Sequence, residues 1–156
     1  MEKTYLTREG YEKMAADLKQ MQTVKRREIL EQLEMARAHG DLRENAEYEA
    51  AKHALQMLDI RINEMHEKIA SAEIFSTDNI STDKVVIGTK VTLWDFSYEE
   101  EVEYWITGTD EADPAAGKIS INSPVATALL GHAVGDHIEA KAPRGTMKYQ
   151  IKRIDR

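Results

Sequence analysis

ARAHGDLRENAEYEAAK, residues 36–52, separates two segments that mirror each other. After it, Tyr48, Ala51, Leu55, Leu58, Ile62, Met65, Ile69 and Ala72 recur in unbroken steps of three and four. That is the a/d seam of a coiled-coil strand. Before it, Tyr11, Met14, Leu18 and Met21 keep the same period, as do Ile29, Leu33 and Ala36. The register slips between Met21 and Ile29, near Val24 and Lys25, as a stutter would make it do. An antiparallel hairpin pairs positions whose numbers add to a constant. Tyr11 with Ala72, Met14 with Ile69 and Leu18 with Met65 all give 83; Ile29 with Leu55, Leu33 with Ala51 and Ala36 with Tyr48 all give 84. The chain therefore reverses near Leu42, at the tip of a helical hairpin. Each arm of roughly 30 residues would be about 45 Å long.

The residues around the reversal suit it. Gly40 fits a left-handed helix end, and Asp41 or Asn45 can cap the returning helix. Thr7 is a fair N-cap for helix one, which should run to about Ala38; helix two should run from about Asn45 to Ser71 or Ala72. Residues 74–84, IFSTDNISTDK, lack periodicity and read as a linker. The apolar period then changes to two. Strands are expected over Val85–Trp94, Glu101–Thr107, Lys118–Ile121, His137–Lys141 and a last segment through Met147, Tyr149 and Ile151, with a short helix at Pro124–Leu130. The expected class is α+β: an antiparallel coiled-coil hairpin over 1–75, a linker at 76–84, and a mainly antiparallel β domain over 85–156.

Composition narrows the function. The 156 residues are 31% charged and 42% hydrophobic, which fits a folded, soluble chain. There is no cysteine, which excludes disulfides and thiolate metal sites and fits a reducing cytoplasm. The start, MEKTYLTREG, is charged and unlike a signal peptide, and no apolar run reaches membrane-spanning length. The net charge of −7 splits as −3 over residues 1–76 and −4 over the rest, so neither half binds polyanions in bulk. Basic residues cluster only locally: Lys25, Arg26 and Arg27 mid-arm, then Arg37, Arg43 and Lys52 near the tip.

Asp41 and Glu44 are the site candidates. Acidic residues at a helical turn most often cap it and stay solvated. The alternative is that they offer hard oxygen ligands to Mg²⁺, which favours octahedral oxygen coordination and commonly uses one or two carboxylates. Two carboxylates on a bare tip hold the ion weakly, so such chemistry must be completed by another molecule. Arg37 and Lys52 could form a solvated face or guide a single RNA strand toward the tip; Tyr48 lies on the seam and reads as core. His39 reads as neither ligand nor base, and the sequence has no Gly-rich phosphate loop and no Ser-His-Asp set.

ARAHGDLRENAEYEAAK resembles the tip of the bacterial transcript-cleavage elongation factors of the Gre family. LTREGYEKMAADL at 6–18 and DEADPAAGKISINSPVATALLGHAVGD at 110–136 extend the resemblance along the chain. The few basic residues near the tip place it nearer the GreA branch than the more basic GreB branch. The resemblance implies a second domain like the FK506-binding proteins, without isomerase activity. It implies RNA polymerase and the nascent RNA 3′ end as partners, with the hairpin entering the polymerase's secondary channel and the second domain docking at the channel rim. Asp41 and Glu44 match the acidic tip pair, which would help hold a Mg²⁺ shared with the polymerase and position the attacking water. Arg37 and Lys52 match positions that contact RNA. The chain alone would be no enzyme. Relatives that inhibit the polymerase differ chiefly at the tip; GDLRENAEY is kept here, which favours cleavage over a channel-binding regulator without it. A prolyl isomerase or chaperone would need an open aromatic pocket in the second domain and would work without polymerase; a plain coiled-coil adaptor would not need the acidic pair.

Overall fold

Heptad spacing builds the helical hairpin. The computed structural model describes residues 3–40, 45–78 and 80–156. Strand β1 (Thr4–Leu6) precedes helix α1 (Arg8–Gln20), a π turn (Met21–Lys25) and helix α2 (Arg26–Arg37). Helix α3 (Ala46–Ala70) returns. Thr7 caps α1, its hydroxyl accepting from the Gly10 N–H at 3.0 Å. The seam packs as expected: Leu18, Leu58 and Ile62 are buried, with Met21, Ile29, Met65 and Ile69 against them. Arg26 bonds Asp59 at 3.0 Å across the hairpin, and Gln22 Nε2 lies 2.7 Å from His66 Nε2. Both pairings require antiparallel helices.

The register slip has a different cause from a stutter. The seam steps from Met21 to Ile29, one residue more than a heptad. The π turn absorbs that residue, with the Arg26 N–H donating to the Met21 carbonyl five residues back. Apolar positions on either side of it then stay on one face.

The second unit comprises residues 3–10 and 73–156, so the chain's start belongs with its C-terminal part. The sequence alone groups 3–10 with the hairpin, over 1–75. The reason for the difference lies in short-range chemistry. β1 pairs with β2 (Ala72–Ile74), and the Phe75 N–H donates to the Leu6 carbonyl at 3.0 Å. Leu6 is fully buried. The Glu111 carboxylate accepts from the Thr7 N–H at 2.9 Å and from its hydroxyl at 2.6 Å. Gly108 lies so close that a Cβ there would run into the Tyr5 carbonyl oxygen.

The main sheet orders its strands β5-β4-β3-β7-β6. They are β3 (Lys90–Asp95), β4 (Glu100–Thr107), β5 (Lys118–Ser120), β6 (His137–Ala142) and β7 (Gly145–Asp155). Pairing is antiparallel except for β4 with β5. Helix α4 (Pro124–Leu129) covers one face, burying Ala126 and Leu129 against Val91, Leu93, Ile106, Ile138 and Ile151. The result is a mixed β half-barrel, the α+β class expected. The first strand starts five residues later than its apolar pattern. Val85 is buried through bonds with Gly131 and His132, and Gly88 turns the chain at φ +92° before the ladder begins. Residues 75–89 contain no helix or strand among those described.

Candidate functional site

Asn45 closes the end of the hairpin. As N-cap of α3 it holds an extended backbone, and its Oδ1 accepts from the Tyr48 N–H at 3.1 Å. Its Nδ2 donates to the Ala36 carbonyl, in the last turn of α2, at 2.6 Å. One amide thus satisfies a free donor of one helix and adds a second bond to a carbonyl of the other, which also accepts from the His39 N–H at 3.2 Å. Ala36 and Ala51 are both buried. Gly40 carries φ +117°, the left-handed geometry that a chain leaving a helix needs. Glu47 and Glu49 sit in the first turn of α3, where the helix dipole favours acid.

The two basic candidates flank Tyr48. The Arg37 guanidinium lies 5.9 Å from the centre of the Tyr48 ring. Lys52, exposed, follows Tyr48 by four residues on α3 and so shares its face. Tyr48 is half-buried, part seam and part floor for Arg37. His39 is exposed. Asp41, Arg43 and Glu44 lie outside the described residues.

Sequence reasoning left the cap open between Asp41 and Asn45; the structure gives that role to Asn45. It did not foresee the bond from Asn45 to Ala36, because the two positions face each other only once the hairpin has formed. It missed Glu111 as well, whose role depends on a contact 104 residues distant. The stretch ISINSP…ALLG…GD is explained structurally. Ser123 caps α4 through the Ala126 N–H, with Pro124 in its first turn. Asn122 Nδ2 donates to Thr109 Oγ1, which lies 3.0 Å from Ser120 Oγ. Gly131 and Gly135 take left-handed turns. Asp136 accepts from the Ala133 N–H and pairs with His132, bonds that hold its carboxyl below the usual range.

Among the described residues no group of three His, Cys, Asp or Glu side chains is placed to hold a metal, and no helix is long and apolar enough to cross a membrane. The chain is thus a two-unit protein, a helical hairpin whose two helix ends Asn45 bridges and a half-barrel sheet. Residues 4–74 match the family described as "Transcription elongation factor, N-terminal", and residues 80–156 match "Transcription elongation factor, GreA/GreB, C-term". The chain belongs to the GreA/GreB family of transcription elongation factors.

Individual relatives agree along nearly the whole length. It is 46% identical to the "Transcription elongation factor GreA" of Pelobacter propionicus, over 94% of this chain and 92% of that one. It is 44% identical to the protein of the same name from Chloroherpeton thalassium, over 98% and 97%. Among solved structures, the GreA factor homolog 1 (Gfh1) protein of Thermus thermophilus is 25% identical, over 99% and 100%, with a TM-score of 0.46.

Proposed function

We propose that this chain binds RNA polymerase through its secondary channel and stimulates the polymerase to cleave the 3′ end of backtracked RNA. The observation that carries the reading is the closed hairpin end. Asn45 fixes the two helix ends that the segment Asp41–Glu44 connects, and Arg37 and Lys52 stand beside them around Tyr48. Family membership supplies the context, transcription elongation.

Each residue has a chemical task in this reading. Arg37 and Lys52 pair with phosphates of the displaced RNA strand, a local neutralisation that a chain of net charge −7 cannot provide in bulk. Asp41 and Glu44 contribute carboxylate oxygens that orient the attacking water. The same oxygens would hold Mg²⁺, whose preference for hard donors they satisfy only in part, so the polymerase must supply the remaining ligands. When bound, the ion lowers the pKa of the attacking water and offsets charge on the phosphate. The free protein accordingly has no nuclease activity, and it works in the cytoplasm, where the polymerase transcribes.

The test is RNA cleavage by stalled, backtracked complexes with and without the protein, beside the protein mixed with RNA alone. Shortening of the transcript from its 3′ end only when both polymerase and protein are present supports the reading. Binding to polymerase without cleavage would make it a regulator of another kind.

A further inference from the structure

Helix α1 crosses the boundary between the two units. Residues 3–10 belong with the sheet and residues from Tyr11 onward with the hairpin, so the first turn of α1 is part of the sheet unit. What holds that turn decides how the helix leaves the sheet unit.

A helix capped by threonine is commonly closed by a glutamate or glutamine three residues on, whose side chain reaches back to the N–H of the capping residue. Here Thr7 is the cap, and position 10 is a glycine with no side chain to reach back. Glu111 takes that part from 104 residues away. Its Oε2 accepts from the Thr7 N–H at 2.9 Å and its Oε1 from the Thr7 hydroxyl at 2.6 Å. A Cβ on Gly10 would run into the Glu111 carboxylate, and the three atoms nearest to it all belong to that group. Glycine inside a helix is destabilising, and the space it leaves is the space Glu111 fills.

Glu111 is itself held. It ends the turn Thr109–Glu111, and its N–H donates to the Gly108 carbonyl at 3.2 Å. Gly108 in turn lies against the Tyr5 carbonyl of β1, too close for a Cβ. Two glycines, one in α1 and one before the turn, thus serve a single joint. A cap drawn from the helix's own third residue stabilises the helix alone. A cap drawn from Glu111 also ties the helix to the sheet unit. Residues 8–37 run on from that tie through α1, the π turn and α2. At 1.5 Å per residue, those roughly 30 residues span about 45 Å, so a small change of direction at Thr7 becomes a large displacement at the far end.

We propose that Glu111 is a positioning residue: by capping α1 from the sheet unit through Thr7, it aims the hairpin end where the segment Asp41–Glu44 joins the two helices. The consequence for cleavage rests on the functional reading above. The test uses the full chain in three variants. Glu111→Ala removes the tie. Glu111→Gln keeps it, since the amide oxygen accepts from the Thr7 N–H and the amide N–H donates to the hydroxyl oxygen. Gly10→Glu combined with Glu111→Ala restores the cap from within the helix but not the tie, and so guards against simple loss of folding.

The chain has no cysteine, so Met57→Cys in the hairpin and Val134→Cys in the sheet unit, both at exposed positions, take spin labels at those two places only. The spread of distances between the labels should widen in Glu111→Ala, stay wide in the double variant and match the parent in Glu111→Gln. Single-turnover cleavage of backtracked RNA at saturating protein should fall about tenfold or more in the first two, as misplacement of a reacting group does, and match the parent in the third. Thermal melting of the double variant should return to the parent's. A parental spread in Glu111→Ala would overturn the joint. Parental cleavage in the double variant would overturn the aiming role and leave Glu111 a cap. Unmodified protein that never stimulates cleavage would overturn the functional reading, while the label spread still decides the joint.

Discussion

Asn45 bridges the two helix ends of the hairpin with one side chain. It makes two bonds that no alanine can replace. Asn45→Ala should cost about 1–2 kcal/mol of hairpin stability, the upper range for a lost N-cap. Asn45→Asp keeps the acceptor for Tyr48 but loses the donor to Ala36, so it should cost less. Urea denaturation followed by circular dichroism decides this, and an Asn45→Ala variant as stable as its parent would deny the bridge its role. Thr92 is the opposite case. Its hydroxyl is buried and has no hydrogen-bond partner. An orphaned polar group is a cost, so Thr92→Val should leave stability unchanged or raise it by up to about 1 kcal/mol. A clear loss in thermal melting would mean the hydroxyl is partnered in solution.

At the scale of elements, the hairpin was legible because its information is local and repetitive. Steps of three and four name both seams, and constant pair sums place the reversal without any structure. The π turn was not legible as such. Periodicity reports a change of phase, and a stutter and one surplus residue both change phase. Only the Arg26-to-Met21 bond distinguishes them. Deleting Val24 should therefore turn α1 through α2 into one continuous α-helix with an unbroken seam, as stable as the parent or more so. Adding one alanine between Ile29 and Leu33, where no π turn exists, should destabilise the hairpin. A deletion variant that unfolds while the insertion variant is tolerated would contradict the role assigned to the surplus residue. Strand β3 was placed too early because alternation marks burial, and Val85 is buried without belonging to the ladder.

Across the whole molecule, the division into two units was readable from the change of apolar period, but the membership of the first ten residues was not. Three-residue strands have no periodicity, and the pairing of β1 with β2 joins segments far apart in sequence. Removing residues 1–6 should therefore weaken the sheet unit, although those residues precede the hairpin. Amide exchange should accelerate around Gly108 and Glu111 and spread into the adjoining β4–β5 pair. Unchanged protection there would show that β1 is dispensable to that unit. Acidic tip, basic flank and clamped helix ends lie close together along the chain, which is why the candidate site could be named from sequence. The supporting bonds could not, because they exist only across the hairpin.

We propose that Asp41 and Glu44 act inside the polymerase rather than merely completing a turn. Asp41→Asn and Glu44→Gln retain size and remove charge. Single-turnover cleavage of backtracked RNA across a Mg²⁺ titration, with competition binding as control, measures their effect directly. Each variant should bind polymerase as the parent does while cleavage falls about a hundredfold, the rate equivalent of roughly 3 kcal/mol. Higher Mg²⁺ should partly restore the single variants, and the double variant should lose less than the product of the two. Parental cleavage rates in both charge-neutral variants would contradict the account and leave Asp41 and Glu44 as ordinary turn residues.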